Sequence, residues 1–175
     1  MKKQLFAVAA VCCAAAVFAG VKGEGTKLSK WSQNSYKGFA RDLGKIVMDE
    51  EDQQMVFQTK TAEKGVGYYY SVGQKAKAGD KVEIEIVAKG TGSVMLQYYP
   101  YAVNPVRPLA NVKDKAFFCK MTPDGYKKFK LSKVILPDGD GAKVGQISFA
   151  IHINPNSDVI IRSFECNVIP ADEEE

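Results

Sequence analysis

The sequence predicts an all-β chain folded as an antiparallel two-sheet sandwich. Short apolar runs recur along the chain, separated by turns rich in glycine, proline and aspartate about every 8 to 14 residues. After the first 19 residues, no apolar pattern with the helical period of 3.6 extends beyond about two turns. The sequence also has no repeat of fixed period, which excludes a propeller or a solenoid. Many short strands without intervening helices are typical of a sandwich.

The first 19 residues have the features of a secretory signal peptide. Lys2 and Lys3 give a positive start, and residues 5–18 form an apolar run shorter than the roughly 20 residues of a membrane-spanning helix. We expect cleavage after Ala19, with an uncleaved anchor as the alternative. The mature protein is therefore predicted to be secreted, either periplasmic or extracellular, and to have no membrane span.

The mature chain is predicted to consist of a lead-in, one domain and a tail. The flexible lead-in covers 20–27, the single sandwich domain 28–170, and the acidic tail 171–175. Removal of Lys2 and Lys3 lowers the net charge from +4 to +2, and the remaining charges of both signs are interspersed. This distribution excludes the basic stripe of a nucleic-acid-binding protein. A hydrophobic content of 46% excludes a disordered chain.

Nine strands account for the apolar runs of the domain. Turns separate them, such as TPDG at 122–125, where proline fixes φ and glycine permits a tight bend. Residues 102–114 contain two prolines and are predicted to be a long connection, of the kind that carries binding residues or crosses between sheets. The strands are predicted at 45–49, 55–60, 66–72, 81–89, 93–101, 115–121, 126–136, 144–153 and 158–169.

Alternation assigns the side chains of these strands to faces. In the strand at 81–89, apolar residues at the even positions alternate with Glu83 and Glu85. In the strand at 93–101, Gln97 and Tyr99 lie opposite the apolar set at 94, 96 and 98. In the strand at 144–153, His152 lies opposite the apolar set at 147, 149, 151 and 153. These polar and aromatic residues are therefore predicted to face away from the core.

The cysteines predict one disulfide. Cleavage of the signal peptide removes Cys12 and Cys13 and leaves Cys119 and Cys166 as a pair. Two cysteines in an oxidising compartment are expected to form a bridge, and two buried thiols on separate core strands are the alternative. A zinc site is excluded, because two isolated cysteines and a single histidine do not provide the paired spacings of a four-ligand site.

Several segments resemble carbohydrate-binding modules with the galactose-binding-like jelly-roll fold. The stretch AKAGDKVEIEIVAK at 76–89, followed by Gly-Thr-Gly and a further strand, is similar to the middle of such modules. The stretch MTPDGYKKFKLSKVILP at 121–137 and the closing strands at 144–153 and 158–169 resemble their second half. The resemblance covers about 66–169. It implies a jelly-roll sandwich that binds a glycan or polysaccharide without catalysis.

A sugar site needs flat aromatic rings together with polar groups, because a sugar ring has one apolar face and a rim of hydroxyls. We predict that two tyrosines stack on the sugar and that four polar side chains bond its hydroxyls: Tyr99 and Tyr101, with Gln97, Glu85, His152 and Arg107. The alternative is that the tyrosines are packing residues and the glutamates are solvated. The second aromatic cluster, at 68–70, is interpreted as packing.

Enzymatic activity is not predicted, because His152 has no serine or cysteine in a recognisable nucleophile motif. A small glycan-active enzyme is one alternative, and a cell-envelope sandwich that binds protein is another. No cofactor is predicted apart from a candidate structural calcium ion, which the resemblance implies near the early strands. Asp49 and Glu51 are the positions to test for it, and a solvated acidic turn is the alternative there.

Overall fold

The computed structural model describes residues 31–33, 47–49, 54–58, 63–70 and 73–171. At 47–49 it describes the backbone alone. The predicted signal peptide and lead-in, and residues 172–175 of the predicted tail, lie outside the described residues. Within the described ranges the chain contains no α-helix, and therefore no helix that could cross a membrane.

Apolar alternation and turn residues divide the described chain into strands. In chain order the strands are β1 (Trp31–Gln33), β2 (Val47–Asp49), β3 (Gln54–Gln58), β4 (Val66–Tyr70), β5 (Gln74–Lys75), β6 (Lys81–Thr91), β7 (Ser93–Val103), β8 (Val106–Pro108), β9 (Ala116–Lys120), β10 (Lys127–Val134), β11 (Gln146–Ile153) and β12 (Asp158–Ile169).

The strands form two antiparallel sheets, as the sequence predicts. In the seven-stranded sheet the main order is β1-β4-β11-β7-β8, with β5 beside β11 and β9 beside β7. In the five-stranded sheet the order is β10-β6-β12-β3-β2. Consecutive long strands change sheets, since β6 and β7 lie in different sheets and so do β11 and β12. The result is a jelly-roll sandwich in which each sheet has one face towards the core and one face outwards.

The core fills the space between the two sheets. The even-numbered residues of β6 and the odd-numbered residues of β11 are buried along the length of both strands. Aromatic rings meet across the layers: Phe149 of β11 lies 6.3 Å from Phe164 of β12, and Trp31 lies 5.2 Å from Phe164, all measured between ring centroids. Burial of such rings removes a large apolar area from water, which is the main stabilising term of the fold.

All nine predicted strands are present, and three further strands are not predicted by the sequence. These are β1, β5 and β8, each of two or three residues. Segments this short cannot show an alternation, so their pairing depends on the neighbouring strand. The third of them, β8, lies inside the predicted long connection and pairs with the end of β7.

The turn between β6 and β7 requires glycine. Gly90 has a φ of 137° and Gly92 a φ of 83°, values that side-chain-bearing residues rarely adopt. A Cβ at Gly90 would overlap the backbone of Asp158, and one at Gly92 would overlap the side chain of Ser157. The Oγ of Ser157 accepts a hydrogen bond of 3.1 Å from the backbone N–H of Ser93. The turn is therefore fixed against the β11–β12 connection, which sets the start of β7.

The predicted disulfide between Cys119 and Cys166 is wrong in this structure. Both residues are buried free thiols. Cys119 lies on β9 of the seven-stranded sheet, whereas Cys166 lies on β12 of the five-stranded sheet. The alternative, two buried thiols on separate core strands, describes the observed arrangement.

Candidate functional site

A group of aromatic and polar side chains covers the outer face of the seven-stranded sheet. We call it the aromatic face and define it by Tyr69, Gln97, Tyr99, Phe118 and His152. Strand register brings these residues together, because directly paired residues of adjacent strands share a face. Ala150 of β11 pairs with Tyr69 on one side and with Gln97 on the other. In the next row His152 pairs with Met95, which pairs in turn with Phe118.

The Tyr99 hydroxyl connects two of the polar side chains. It lies 3.3 Å from the Oε1 of Gln97, to which it donates, and 3.3 Å from the Nε2 of His152. A hydroxyl has only one hydrogen, so while it donates to Gln97 it must accept from the histidine ring. With this donation the Nε2 of His152 carries the proton, whereas in the other neutral tautomer Nε2 would accept the Tyr99 hydrogen.

The rings of the aromatic face are inclined to one another. Tyr69 and Tyr99 have centroids 5.1 Å apart and ring planes at 63°, and His152 lies 6.5 Å from Tyr99 at 60°. Edge-to-face contact of this kind is favourable and holds each ring in one orientation. Both tyrosines are half-buried, so part of each ring remains open to solvent. The rings of Tyr69 and Tyr99 are therefore inclined to each other, and the hydrogen-bonded polar groups lie beside them.

His152 and Tyr99 are uncharged at neutral pH. Burial lowers the pKa of His152 to about 4, because the charged imidazolium would lose its hydration. Burial and, next, the hydrogen bond with Tyr69 raise the pKa of Tyr99 well above its ordinary value. Gln97 carries no charge in any state. Because His152 is only 2% exposed, the accessible polar groups of the face include those of Gln97 and Tyr99, and these carry no net charge.

The structure brings together three of the predicted polar and stacking residues, Gln97, Tyr99 and His152. Tyr101 lies on the same outer face, two residues further along β7, where it pairs with Gln146. Arg107 pairs with Ala102, whose side chain is buried on the opposite side of β7 from Tyr101. Arg107 is therefore separated from the aromatic face.

The prediction that Glu85 belongs to the same site as His152 is wrong. Glu85 lies on β6 in the five-stranded sheet, whereas His152 lies on β11 in the seven-stranded sheet. Its carboxylate forms an ion pair of 2.7 Å with the Nζ of Lys128. The physical reason is that β6 and β7 pack in different layers, so their outward faces point in opposite directions.

Sequence reasoning missed two members of the aromatic face. Tyr69 was interpreted as packing, but only its neighbours Tyr68 and Tyr70 point into the core. Phe118 is 71% exposed, although phenylalanine usually lies inside. Phe118 alternates with Phe117 and Cys119 on β9, which are buried, and this alternation could have predicted that it points outwards. Alternation places such a residue outside but does not reveal what lies beside it.

The calcium prediction is not tested by the structure. Glu51 lies outside the described residues, and for Asp49 only the backbone is described. Among the residues the structure describes, no group of three or more histidine, cysteine, aspartate or glutamate side chains converges on a point. Asp49 and Glu51 remain the positions at which to test for a structural calcium ion.

No family model matches the chain, and no curated protein matches it either. Solved structures with a similar fold do exist. One is the enzymatically active domain of tailspike protein 4 of bacteriophage CBA120, with a TM-score of 0.53 and 12% identity over 84% of this chain. Another is the arabinose-bound MgGH51 α-L-arabinofuranosidase, with a TM-score of 0.52 and 13% identity over 83% of this chain. The chain spans 20% and 25% of these two chains, respectively.

Carbohydrate-binding modules are also among the matching structures. One of them, CBM4, matches with a TM-score of 0.46 and 12% identity, covering 80% of this chain and 95% of its own. At such low identities a match concerns the fold alone. The two-sheet sandwich predicted from the sequence is confirmed by the strand pairing within its two antiparallel sheets.

Proposed function

We propose that the protein is a secreted, non-catalytic module that binds a glycan on its aromatic face. The observation that carries this proposal is the convergence of Gln97, Tyr99 and His152, with the Tyr99 hydroxyl in contact with both polar partners. The three residues come from two strands that are distant in sequence. Their contacts arise from the fold, which holds the polar groups next to an exposed ring surface.

The chemistry of this face matches that of a sugar. A sugar ring stacks its apolar face on an aromatic ring and needs neutral donors and acceptors for its hydroxyls. Tyr69 and Tyr99 supply inclined rings, Phe118 extends the ring surface across β9, and Tyr101 extends it along β7. Because His152 is neutral above about pH 4, the face has no charge that would favour an ionic ligand.

Binding without catalysis is part of the proposal. Hydrolysis of a glycosidic bond uses two carboxyl groups on either side of the bond. Glu83 and Glu85 lie two residues apart on β6 and pair with lysines on the outer face of the other sheet. His152, with its low pKa, is not available as a general acid near neutral pH. The aromatic face therefore has binding groups without the pair of acids that this chemistry requires.

Affinity electrophoresis against a panel of soluble polysaccharides tests the proposal, followed by calorimetry with the best ligand. We expect Tyr99→Ala and Gln97→Ala each to weaken binding about tenfold, which corresponds to about 1.4 kcal/mol. Tyr126→Ala is the matched control, because Tyr126 is a half-buried tyrosine that bonds Gln54 at a distance from the aromatic face. Absence of binding to every polysaccharide, or equal effects of all three variants, would overturn the proposal.

A further inference from the structure

A second candidate site lies where the strands of both sheets end. A cavity of about 640 Å³ opens there between the end of β7, the start of β11 and the end of β12. Two neighbouring cavities, of about 430 and 290 Å³, share Val144 with it. We call the three together the end basin. The cavity of about 640 Å³ by itself lies within the range of small-molecule sites, which occupy roughly 300 to 1,000 Å³.

The lining of the end basin is mainly aliphatic. No aromatic ring lines any of the three cavities among the described residues, so the basin lacks the stacking surface that a sugar requires. Its apolar lining consists of Ala76, Ala78, Ala102, Val103, Pro105, Pro137, Ala142, Val144, Val168 and Pro170. At its edge Val103 and Val106 pair at the ends of β7 and β8, and they are 52% and 65% exposed. Exposed aliphatic residues beside an apolar cavity are typical of a binding site.

Cations surround this aliphatic surface: Lys75, Lys77, Lys143 and Arg107, all exposed. The one carboxylate among the described lining residues belongs to Asp80, which is only 5% exposed. Its Oδ2 accepts a hydrogen bond of 2.8 Å from the backbone N–H of Lys77, and its Oδ1 accepts one of 3.3 Å from that of Ala171. Asp80 is therefore engaged by the backbone and buried beneath the cationic edge.

We propose that the end basin binds an aliphatic carboxylate, with the chain of the ligand in the cavity and its carboxylate at the cationic edge. The aliphatic lining supplies the apolar contact, and the lysines and the arginine supply charge complementarity. An uncharged alkane chain would make no use of the cationic edge, and a small anion would leave the cavity unfilled. The inference concerns a different surface from the aromatic face, so the two proposals stand or fall separately.

Calorimetric titration with dodecanoate, below the concentration at which it forms micelles, tests the proposal. We expect saturable binding that weakens as salt is raised, with dodecanol and butanoate each binding at least tenfold more weakly. The double variant Lys143→Gln/Arg107→Gln should weaken dodecanoate binding about tenfold. Val103→Ser should weaken it as well, and because Val103 is half exposed this variant is expected to fold.

Matched controls separate the basin from its surroundings. Lys130→Gln removes an exposed cation that pairs with Glu83 on the five-stranded sheet, and it should leave dodecanoate binding unchanged. Tyr99→Ala should also leave it unchanged. Residues 172–175 are acidic and follow Ala171, so the titration is repeated with a chain that ends at Ala171.

Three results would overturn the proposal. The first is the absence of dodecanoate binding in both chain lengths. The second is an equal loss of affinity in Lys130→Gln, which would reduce the effect to general attraction between charges. The third is binding to anionic phospholipid vesicles with none to free dodecanoate, which would identify a membrane surface as the ligand.

Discussion

The outer faces of the two sheets differ in how they satisfy their polar groups. On the five-stranded sheet, lysines and glutamates form ion pairs: Lys128 with Glu85 at 2.7 Å, Lys130 with Glu83 at 3.4 Å, and Lys81 with Glu83 at 3.7 Å. On the seven-stranded sheet, the aromatic face consists of neutral side chains that contact one another. Both faces belong to one sandwich, so the contrast is a property of their side chains rather than of the fold.

The contrast supports the proposal that the aromatic face, and not the ion-paired face, binds a ligand. Exposed ion pairs contribute little to stability, and charged residues on the edge strand β10 discourage pairing with another chain. That surface is explained by solubility alone. The aromatic face has no such explanation, because half-buried tyrosines and a buried histidine on an outer surface do not improve solubility. A ligand that supplies hydroxyls and an apolar face would complete it.

The difference between the two outer faces is tested most directly by adding one carboxylate to each of them. Ala150 is 1% exposed between Tyr69 and Gln97, so Ala150→Asp would bury a carboxylate among neutral groups. We expect the free energy of unfolding to fall by about 4 kcal/mol. Ser163→Asp on the five-stranded sheet lies in the same row as Val87 and Lys128 and should cost less than about 1 kcal/mol.

Urea denaturation of the two variants and the wild type measures these changes, since the midpoint reports stability when the slope is unchanged. Ser163→Asp serves as the control for the general effect of an added acid in a strand. If both variants lost the same stability, the aromatic face would be no less tolerant of charge than the ion-paired face, and the contrast would fail.

A second, smaller effect concerns the pH dependence of stability. The pKa of His152 is about 4 in the folded chain, against about 6.5 when unfolded. Between these values the unfolded chain binds more protons, so the free energy of unfolding decreases as the pH falls from about 6.5 to about 4. The full loss from this group is on the order of 3 kcal/mol, because each pKa unit corresponds to about 1.4 kcal/mol.

His152→Gln isolates this contribution, because glutamine remains neutral and keeps a polar group near the Tyr99 hydroxyl. Urea denaturation at several pH values should show a steeper loss of stability for the wild type than for the variant between pH 6.5 and 4. Parallel curves would mean that the loss arises from the carboxylates elsewhere in the molecule, including those of the five-stranded sheet.

The spacing of turns and the alternation of apolar residues sufficed to predict the sandwich and part of the aromatic face. The regular burial of Val82, Ile84 and Ile86 is local in origin, so a single strand already shows it. The same reasoning placed Gln97 and Tyr99 outside, and the structure agrees. The meeting of these residues with His152 needed one further fact, namely that β7 and β11 are neighbours in one sheet.

The failures share one physical cause, which is that sheet membership depends on long-range pairing. Glu85 has the alternation of an outward residue, but its strand packs in the other layer. The pair Cys119 and Cys166 was separated for the same reason, since β9 and β12 belong to different sheets. Arg107 depended on β8, a strand too short to predict. A sequence therefore shows which side chains point outwards, but the strand order is needed to know which of them lie on the same surface.

The smallest expected effect lies on the ion-paired face. The hydrogen bond and, next, the charge of Glu85 raise the pKa of Lys128, although this lysine is exposed. Glu85→Gln should therefore return the Lys128 pKa towards its ordinary value, which NMR titration of its side chain can follow. We expect no measurable change in the urea midpoint, since solvent and salt screen exposed pairs. Glycan binding should also stay unchanged, because Glu85 lies on the sheet opposite Tyr99. A loss of binding in Glu85→Gln would show that the ligand reaches both sheets, and the separation of the two faces would no longer hold.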